Sequence, residues 1–247
     1  MTTADFTRLV QTRLGVPADA EPGAITLAAL DRRLPPQPAP PTVILPASQA
    51  GLMGTPADKL ARLIIAEARR YCGLREVKPN AAWDNPATPG PDTALVAELR
   101  AGMRQSPWED GWAYCAAFAE HIIAAALLKW GATPAQIAKW RATMSPHCMT
   151  AVRAFRGINL LATYPVPGAL WLARHGTTDN GHAGLVELSH APQMDTIEAN
   201  TSSGQSGSQR DGDWITTRLR PISGPGDLRT QGFVHPSSIL RLIGVTA

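Results

Sequence analysis

The sequence contains no long apolar run and few cysteines, and each absence excludes a class of protein. No stretch approaches the roughly 18 consecutive apolar residues of a membrane-spanning helix, so we expect no membrane span. Residues 1–10 lack the basic region and apolar core of a secretory signal peptide, so we expect synthesis in the cytoplasm without such a signal. The three cysteines, Cys72, Cys115 and Cys148, are widely separated, and no Cys/His spacing resembles a zinc site. Reduced thiols are therefore expected, with no metal and no cofactor.

Charged residues are also sparse, and they are not clustered. They make up 17% of the chain against 44% hydrophobic residues, which is typical of a soluble globular protein. The net charge of +3 favours approach to an anionic surface such as cell wall or nucleic acid. Because the sequence has no Lys/Arg cluster and no RNA- or DNA-binding motif, we expect no nucleic-acid partner. A chain of 247 residues is long enough for one sizeable core with a small appendage.

The N-terminal part reads as two short helices. Residues 5–14 and 24–34 each place apolar side chains at helical spacing, and Gly15 ends the first helix. Two such helices bury too little surface to be stable alone. Residues 1–34 are therefore interpreted as part of a small module or as a helical hairpin that packs on something else.

A proline-rich segment separates this part from the rest. Five prolines fall within residues 35–41, which is typical of a stiff, extended linker, and we place that linker at residues 35–54. Ordered structure is expected to resume at Thr55-Pro56, which supplies a helix N-cap and a proline at the first helical position. Residues 55–247 form the main domain in this interpretation.

Within that domain, helical periodicity gives way to strand periodicity after Gly157. Helices are predicted from Thr55 to Tyr71 and at 92–103, 115–130, from Thr133 and from Ser145 to Gly157. Short β-type runs are predicted at 169–173, 183–188, 194–199, 214–219, 232–234 and 239–243. Helices followed by a run of short strands predict an α+β fold with an antiparallel sheet.

Cys115 opens the longest of these helices, which is predicted to be amphipathic and to end at Gly131. A cysteine in the first turn of a helix lies near the positive end of the helix dipole, which stabilises thiolate over thiol. The alternative is that Cys115 is simply the first residue of a buried apolar stripe, since free cysteines are often buried.

The other two cysteines have weaker support as nucleophiles. Cys148 lies beside His147 in the first turn of its helix, but neighbouring residues on a helix do not face each other. Cys72 has no histidine or basic cluster near it in sequence, so we expect it to be a packing residue.

A cysteine nucleophile needs a histidine to take its proton and a polar group to orient that histidine. His182 begins a predicted strand directly after a polar turn, and Glu198 and Asn200 end the next strand. Because residues two apart on a strand point to the same face, adjacent antiparallel strands can place Glu198 or Asn200 beside His182. A Cys-His-polar triad is therefore possible.

Three sequence motifs carry a family resemblance. They are Pro107-Trp108 with Tyr114-Cys115-Ala116-Ala117-Phe118, then Gly181-His182-Ala183-Gly184-Leu185-Val186, then Ile197-Glu198-Ala199-Asn200-Thr201. In this order they resemble the CHAP-type amidases and peptidases of the NlpC/P60-like, papain-related cell-wall hydrolases. The resemblance runs from about Ala61 to Val234 and implies a papain-like α+β domain.

The resemblance also implies a role for each matched residue. Cys115 would be the nucleophile and His182 the base, with Glu198 and Asn200 orienting the histidine and supporting the oxyanion region. The chain departs from the pattern in having Tyr114 before the cysteine and Gly168-Ala169 where relatives often have Gly-Asp.

Three aromatic residues near Cys115 are candidates for binding substrate. Trp108, Trp112 and Tyr114 precede the nucleophile and are predicted to line its cleft. For the two tryptophans the alternative is that they are ordinary core aromatics flanking the start of a helix.

The N-terminal helices carry a second, shorter resemblance. The residues that carry it are Val10-Gln11-Thr12-Arg13-Leu14-Gly15-Val16, followed by Asp19, Gly23, Thr26 and Ala28-Ala29-Leu30. This pattern is similar to the repeat of peptidoglycan-binding modules.

Together the two resemblances imply a monomeric cysteine peptidoglycan hydrolase, cutting either the muramoyl–L-alanine amide or a peptide bond of the stem or cross-bridge. Such a protein would reach the cell wall after lysis or dedicated export, as an endolysin or an antibacterial effector does. A catalytically silent wall-binding protein and a cysteine protease or transglutaminase acting on proteins are the alternatives.

Overall fold

The computed structural model describes residues 54–74, 93–202, 212–223 and 227–245. By its contacts the chain divides into residues 1–51 and residues 52–247, and all described residues belong to the second unit. The predicted N-terminal helices and nearly all of the predicted linker therefore lie outside the described residues.

In the part of the chain that the structure describes, five helices precede the sheet and one follows it. They are α1 (Pro56–Arg69), α2 (Thr93–Met103), α3 (Cys115–Trp130), α4 (Pro134–Thr143), α5 (Cys148–Gly157) and α6 (Pro236–Leu242). Capping boxes start α1 and α4, where Thr55 exchanges hydrogen bonds with Asp58 and Thr133 with Gln136. Among the described residues, no helix combines the length and the apolar character needed to cross a membrane.

The sheet has five strands, each antiparallel to its neighbours. They are β1 (Leu170–His175), β2 (Gly181–His190), β3 (Gln193–Thr201), β4 (Trp214–Pro221) and β5 (Leu228–Val234), in the spatial order β4-β3-β2-β1-β5. The predicted α+β class with an antiparallel sheet is confirmed. Hairpin connections place β2 and β3 side by side at the centre, which brings their polar residues together.

The prediction of a strand at residues 239–243 is wrong, because this segment lies in and directly after helix α6. Pro236 takes the first helical position after His235, where its fixed φ favours helix entry. Ile239, Leu240 and Ile243 then pack into the core at a spacing that fits 3.6 residues per turn. A short apolar run is compatible with either element, and packing decided for the helix.

Helix α3 is buried on nearly all sides, and in this it differs from the predicted amphipathic helix. Twelve of its 16 residues are buried, including Glu120 and His121. The helix contacts α1, α2 and α4 as well as strands β2 and β3. A helix that is covered on all sides is the central element of a core. The position of Cys115, the first residue of this helix, is therefore fixed by the packing of several helices and strands.

Candidate active site

Cys115 lies at the point where α3 meets the sheet. It is the first residue of the helix, and Tyr114 before it provides no side-chain cap. The backbone of Ala183 on β2 lies near the Cys115 sulfur and helps to lower the pKa of this thiol. The side chain is buried at 5% exposure, yet it lines an open cleft. The thiol is therefore fixed in position and reachable from one side.

His182 and Glu198 are paired across the centre of the sheet. The Nε2 atom of His182 lies 2.8 Å from Oε2 of Glu198, and both side chains are buried. Glu198 on β3 pairs with Gly184 on β2. Because Gly184 is two residues after His182, these two residues share one face of the sheet, and Glu198 lies on that face as well. A Cβ on Gly184 would lie only 2.9 Å from Cγ of Glu198, so this glycine leaves the space in which the carboxylate reaches the histidine.

Arg220 on β4 holds Glu198 from the other side. Its Nε donates to Oε1 at 2.7 Å and its Nη2 to Oε2 at 2.5 Å, which is a bidentate pair. The Thr196 hydroxyl donates a further hydrogen bond to Oε1. The carboxylate is fully buried, so these donors are what makes its charge tolerable there.

Sequence reasoning did not single out Arg220. Its signal is the alternation in the strand Trp214–Pro221, where Arg218 and Arg220 point to the same face as Thr196 and Glu198. That signal becomes visible only when β4 is known to pair with β3. Gly168 and Ala169 lie directly before β1 and supply no polar side chain, whereas Arg220 on β4 contacts Glu198.

Trp171 on β1 was likewise missed, and it completes the surroundings of the histidine. Its ring meets the His182 ring edge-on, with centroids 6.0 Å apart. The Arg220 guanidinium lies 5.8 Å from the centroid of the same indole, close enough for a cation–π attraction. The indole Nε1–H donates to the Thr230 hydroxyl at 3.0 Å. Trp171, which is fixed by this hydrogen bond, thus contacts both His182 and the Arg220 guanidinium.

The charges of this cluster support each other. Burial alone would lower the pKa of His182, but the negative charges of Glu198 and of the Cys115 thiolate raise it to about 10. Hydrogen bonds from Cys148 and His182 hold the pKa of the Cys115 thiol well below its ordinary value, although burial opposes the shift. Burial also opposes ionisation of Glu198, but Arg220 and His182 keep the pKa of that carboxyl well below its usual range. Together these shifts favour a thiolate–imidazolium pair at neutral pH.

Cys148, the second candidate nucleophile with weaker support from the sequence, lies directly beside Cys115. The two Sγ atoms are 3.7 Å apart. The hydrogen bond and the charge of Cys115, together with burial, raise the pKa of Cys148 well above the ordinary value of a thiol. Cys148 is therefore the protonated partner, which donates to the Cys115 thiolate. His147, its sequence neighbour, instead accepts a hydrogen bond from the Thr150 backbone N–H through Nδ1.

Asn200 lies in the same cleft but does not orient the histidine. It adopts a left-handed backbone conformation with φ of 53°, at a break in the β3–β4 pairing between Glu198 and Thr201. Its buried Oδ1 atom has no hydrogen-bond partner among the described residues. Of the two candidates, Glu198 is thus the group that contacts His182, and Asn200 presents a polar atom to the cleft.

The cleft in front of Cys115 has a volume of about 870 Å³, which is enough for a peptide segment or a sugar-peptide. Its walls combine apolar and polar groups, with Arg218 and Arg220 on one strand and Asp227 near the sheet edge. His147 and His175 also lie along it.

The aromatic residues predicted to bind substrate are not among those that line this cleft. Trp108 and Tyr114 are packed in the hydrophobic core, where Trp108 Nε1 donates to the Trp112 carbonyl oxygen. Their apolar rings extend the core beneath the start of α3. Trp112 is 49% exposed and stands outside the lining. The aromatic that does face the cleft is Trp171.

The part of the chain that the structure describes contains no group of three or more His, Cys, Asp or Glu side chains placed to hold a metal ion. Comparison of the chain with protein-family models, with curated proteins and with solved structures finds no match. The chemistry of the site is therefore argued from its own geometry.

Proposed function

We propose that the protein is a cysteine hydrolase in which Cys115 cleaves an amide bond by acyl transfer. The observation that carries the proposal is the ordered chain Cys115–His182–Glu198, with His182 Nε2 bound to the carboxylate at 2.8 Å. A nucleophile, a base in contact with it and a third group that fixes the base are the parts that such chemistry needs.

The reaction proceeds in two halves. The Cys115 thiolate attacks the carbonyl carbon, and the His182 imidazolium then gives its proton to the departing amine. Water, deprotonated by His182, next attacks the thioester, the C–S bond breaks, and the acid is released. This step restores the Cys115 thiolate and the His182 imidazolium. Glu198 keeps its charge throughout and stabilises the imidazolium, as the carboxylate of a serine-protease triad does.

The oxyanion of each tetrahedral intermediate needs donors close to the attacked carbonyl. We propose that the backbone N–H of Cys115, at the uncapped start of α3, supplies one of them. Asn200 is the candidate for the second, because it lines the cleft and the Nδ2 of its side-chain amide can donate a hydrogen bond.

The proposed substrate is peptidoglycan, cut at the muramoyl–L-alanine amide or within the stem or cross-bridge peptide. This part rests on the resemblance of the three motifs to CHAP-type amidases, and on the likeness of residues 1–34 to wall-binding modules. The net charge of +3 suits an anionic wall. Access to the wall would follow lysis or dedicated export.

Digestion of purified sacculi, followed by mass spectrometry of the released fragments, tests the proposal. Wild type is expected to release fragments in which one amide bond has become an amine and a carboxyl group. A free lactyl carboxyl with an N-terminal L-alanine would identify the muramoyl–L-alanine amide, and a new carboxyl and amine within the peptide would identify a stem or cross-bridge bond. The Cys115→Ala variant should release none, and equal release by both would overturn the proposal. Intact sacculi together with cleavage or cross-linking of a protein substrate would assign the same triad to proteins. Intact sacculi without either activity would indicate a silent binding protein.

The pH dependence of activity should follow the thiolate–imidazolium pair. Protonating Cys115 removes the nucleophile, and because its pKa is held well below the ordinary value, activity should persist below neutral pH. Deprotonating His182 removes the acid that the leaving amine needs, so activity should fall as pH approaches the histidine pKa of about 10.

Alkylation of Cys115 by iodoacetamide, followed by peptide mapping from pH 4 to 11, measures the thiolate directly. Cys72 is the internal control, since partial desolvation of its sulfur and the nearby Glu187 raise its pKa to about 11. A Cys115 alkylation midpoint near the unperturbed thiol value of about 8.5 would contradict the pair.

A further inference from the structure

Two cysteines from different helices meet at the base of the cleft. Cys115 starts α3 and Cys148 starts α5, and their sulfurs lie 3.7 Å apart although 33 positions separate them in the chain. Both residues line the cleft, so a small solute can reach them. The acyl-transfer reaction uses only one of these thiols, which leaves the second without a covalent role.

The surroundings hold Cys148 close to Cys115. A Cβ on Gly181 would lie 2.8 Å from Cβ of Cys148 and 2.6 Å from the Ala173 carbonyl oxygen. The missing side chain at Gly181 therefore lets α5 approach the sheet next to His182. Both cysteines occupy first turns of helices that pack on the sheet, so packing holds their backbones in place beside each other.

The separation is suited to a disulfide. The S–S bond is about 2.05 Å long, so the sulfurs need to approach by less than 2 Å from their present 3.7 Å. The two thiols are also unequal, because Cys115 is held as the thiolate while Cys148 keeps its proton. A thiolate is the form that a peroxide oxidises, and a neighbouring thiol is the group that then resolves the product.

We propose that Cys115 and Cys148 form a reversible intramolecular disulfide when a hydroperoxide enters the cleft. The Cys115 thiolate attacks the peroxide oxygen, the O–O bond breaks, and the products are a sulfenic acid and hydroxide, or alkoxide from an organic hydroperoxide. The Cys148 sulfur then attacks the sulfenic sulfur, the S–O bond breaks, and water leaves with the Cys148 proton. The two thiols lose two electrons in total, and the peroxide gains them.

This disulfide has two consequences. It protects Cys115 from further oxidation to the sulfinic acid, which ordinary thiols do not reverse. It also removes the nucleophile, so oxidised protein should be inactive until a dithiol restores it. Formation of the bond does not depend on the proposed function, whereas its effect on activity rests on it.

Intact-mass measurement and non-reducing peptide mapping after treatment with hydrogen peroxide test the proposal. Wild type is expected to lose about 2 Da, with a single cross-link between Cys115 and Cys148, and dithiothreitol should reverse it fully. Cys72→Ser should behave as wild type, because Cys72 is exposed and does not belong to the pair. Cys148→Ser should instead gain about 32 Da on Cys115, and dithiothreitol should not remove it.

Wild type that gains oxygen on Cys115 without a cross-link would overturn the proposal, and so would a cross-link through Cys72. Because mapping of the wild type alone decides, the result does not depend on how well any variant folds. A cross-link found in protein that leaves sacculi intact would support the disulfide and count against the proposed function.

Discussion

Replacing Cys115 or His182 by alanine is expected to abolish amide hydrolysis, with a loss of about 10⁴-fold or more in kcat. Each substitution removes a side chain whose role the remaining one cannot take over. Without Cys115 no thioester forms, and without His182 the leaving amine receives no proton. Because the two act as a unit, the double variant should lose little more activity than either single variant, so the effects will not add.

The two variants should differ in one measurement that does not require turnover. His182→Ala keeps the Cys115 sulfur but removes the imidazolium that stabilises its charge. Alkylation of Cys115 at pH 6 should therefore be slower in His182→Ala than in wild type, while alkylation of Cys72 stays unchanged. If Cys115 reacts equally fast in both proteins, the Cys148 thiol and the helix start are sufficient to hold the thiolate, and His182 has no part in its activation.

Replacing Arg220 by methionine should lower the free energy of unfolding by about 3–5 kcal/mol. Glu198 is fully buried and receives two hydrogen bonds from this guanidinium, so its removal leaves a buried carboxylate bound only by Thr196 and His182. Activity should fall as well, because a less firmly held Glu198 no longer fixes the His182 ring. Chemical denaturation at pH 7, with activity measured on the folded fraction, checks both effects.

Arg153→Met is the matched control for this substitution. Arg153 pairs with Asp179 at 2.9 Å, but both side chains are more than half exposed, so its loss should cost no more than about 1 kcal/mol. The same cost for both variants would show that the buried pair contributes no more than a surface one.

Acid should reduce the difference in the free energy of unfolding between wild type and Arg220→Met. The pKa of Glu198 is held well below its usual value in the folded protein, so the stabilisation is complete above the unfolded-state pKa of about 4.3 and is lost as the pH falls below it. Unfolding measured at pH 7 and at pH 3 should therefore give a smaller difference at the lower pH. If the difference in unfolding free energy is the same at both pH values, lost packing, and not the charge of Glu198, causes the destabilisation.

Local patterns in the sequence were sufficient for features that depend on a few neighbouring residues. Thr55 with Asp58 and Thr133 with Gln136 start helices because a capping box is made within four positions. The change from helical to alternating periodicity after Gly157 correctly predicted the α+β class and the antiparallel sheet. The strands that carry His182 and Glu198 were found in the same way, because alternation is also local.

Features that depend on two distant segments were missed or left open. The segment 239–243 has an apolar run that suits either strand or helix, and only its packing after Pro236 decided for helix. Helix α3 carries Glu120 and His121 as if one face met water, yet other elements cover it on nearly all sides. Trp108 and Tyr114 were assigned to the cleft because they precede Cys115, but their rings extend into the core.

The sequence by itself thus placed Cys115 at the start of a helix and His182 and Glu198 on successive strands, because those positions follow from helix caps and strand alternation. It did not reveal that Cys148 would touch Cys115, or that Arg220 would bind Glu198. Each of those contacts joins residues more than 20 positions apart, and their distance is set by how α5 and β4 pack and pair. Short-range patterns carry no information on such pairings, so only the tertiary structure decided how the site is completed.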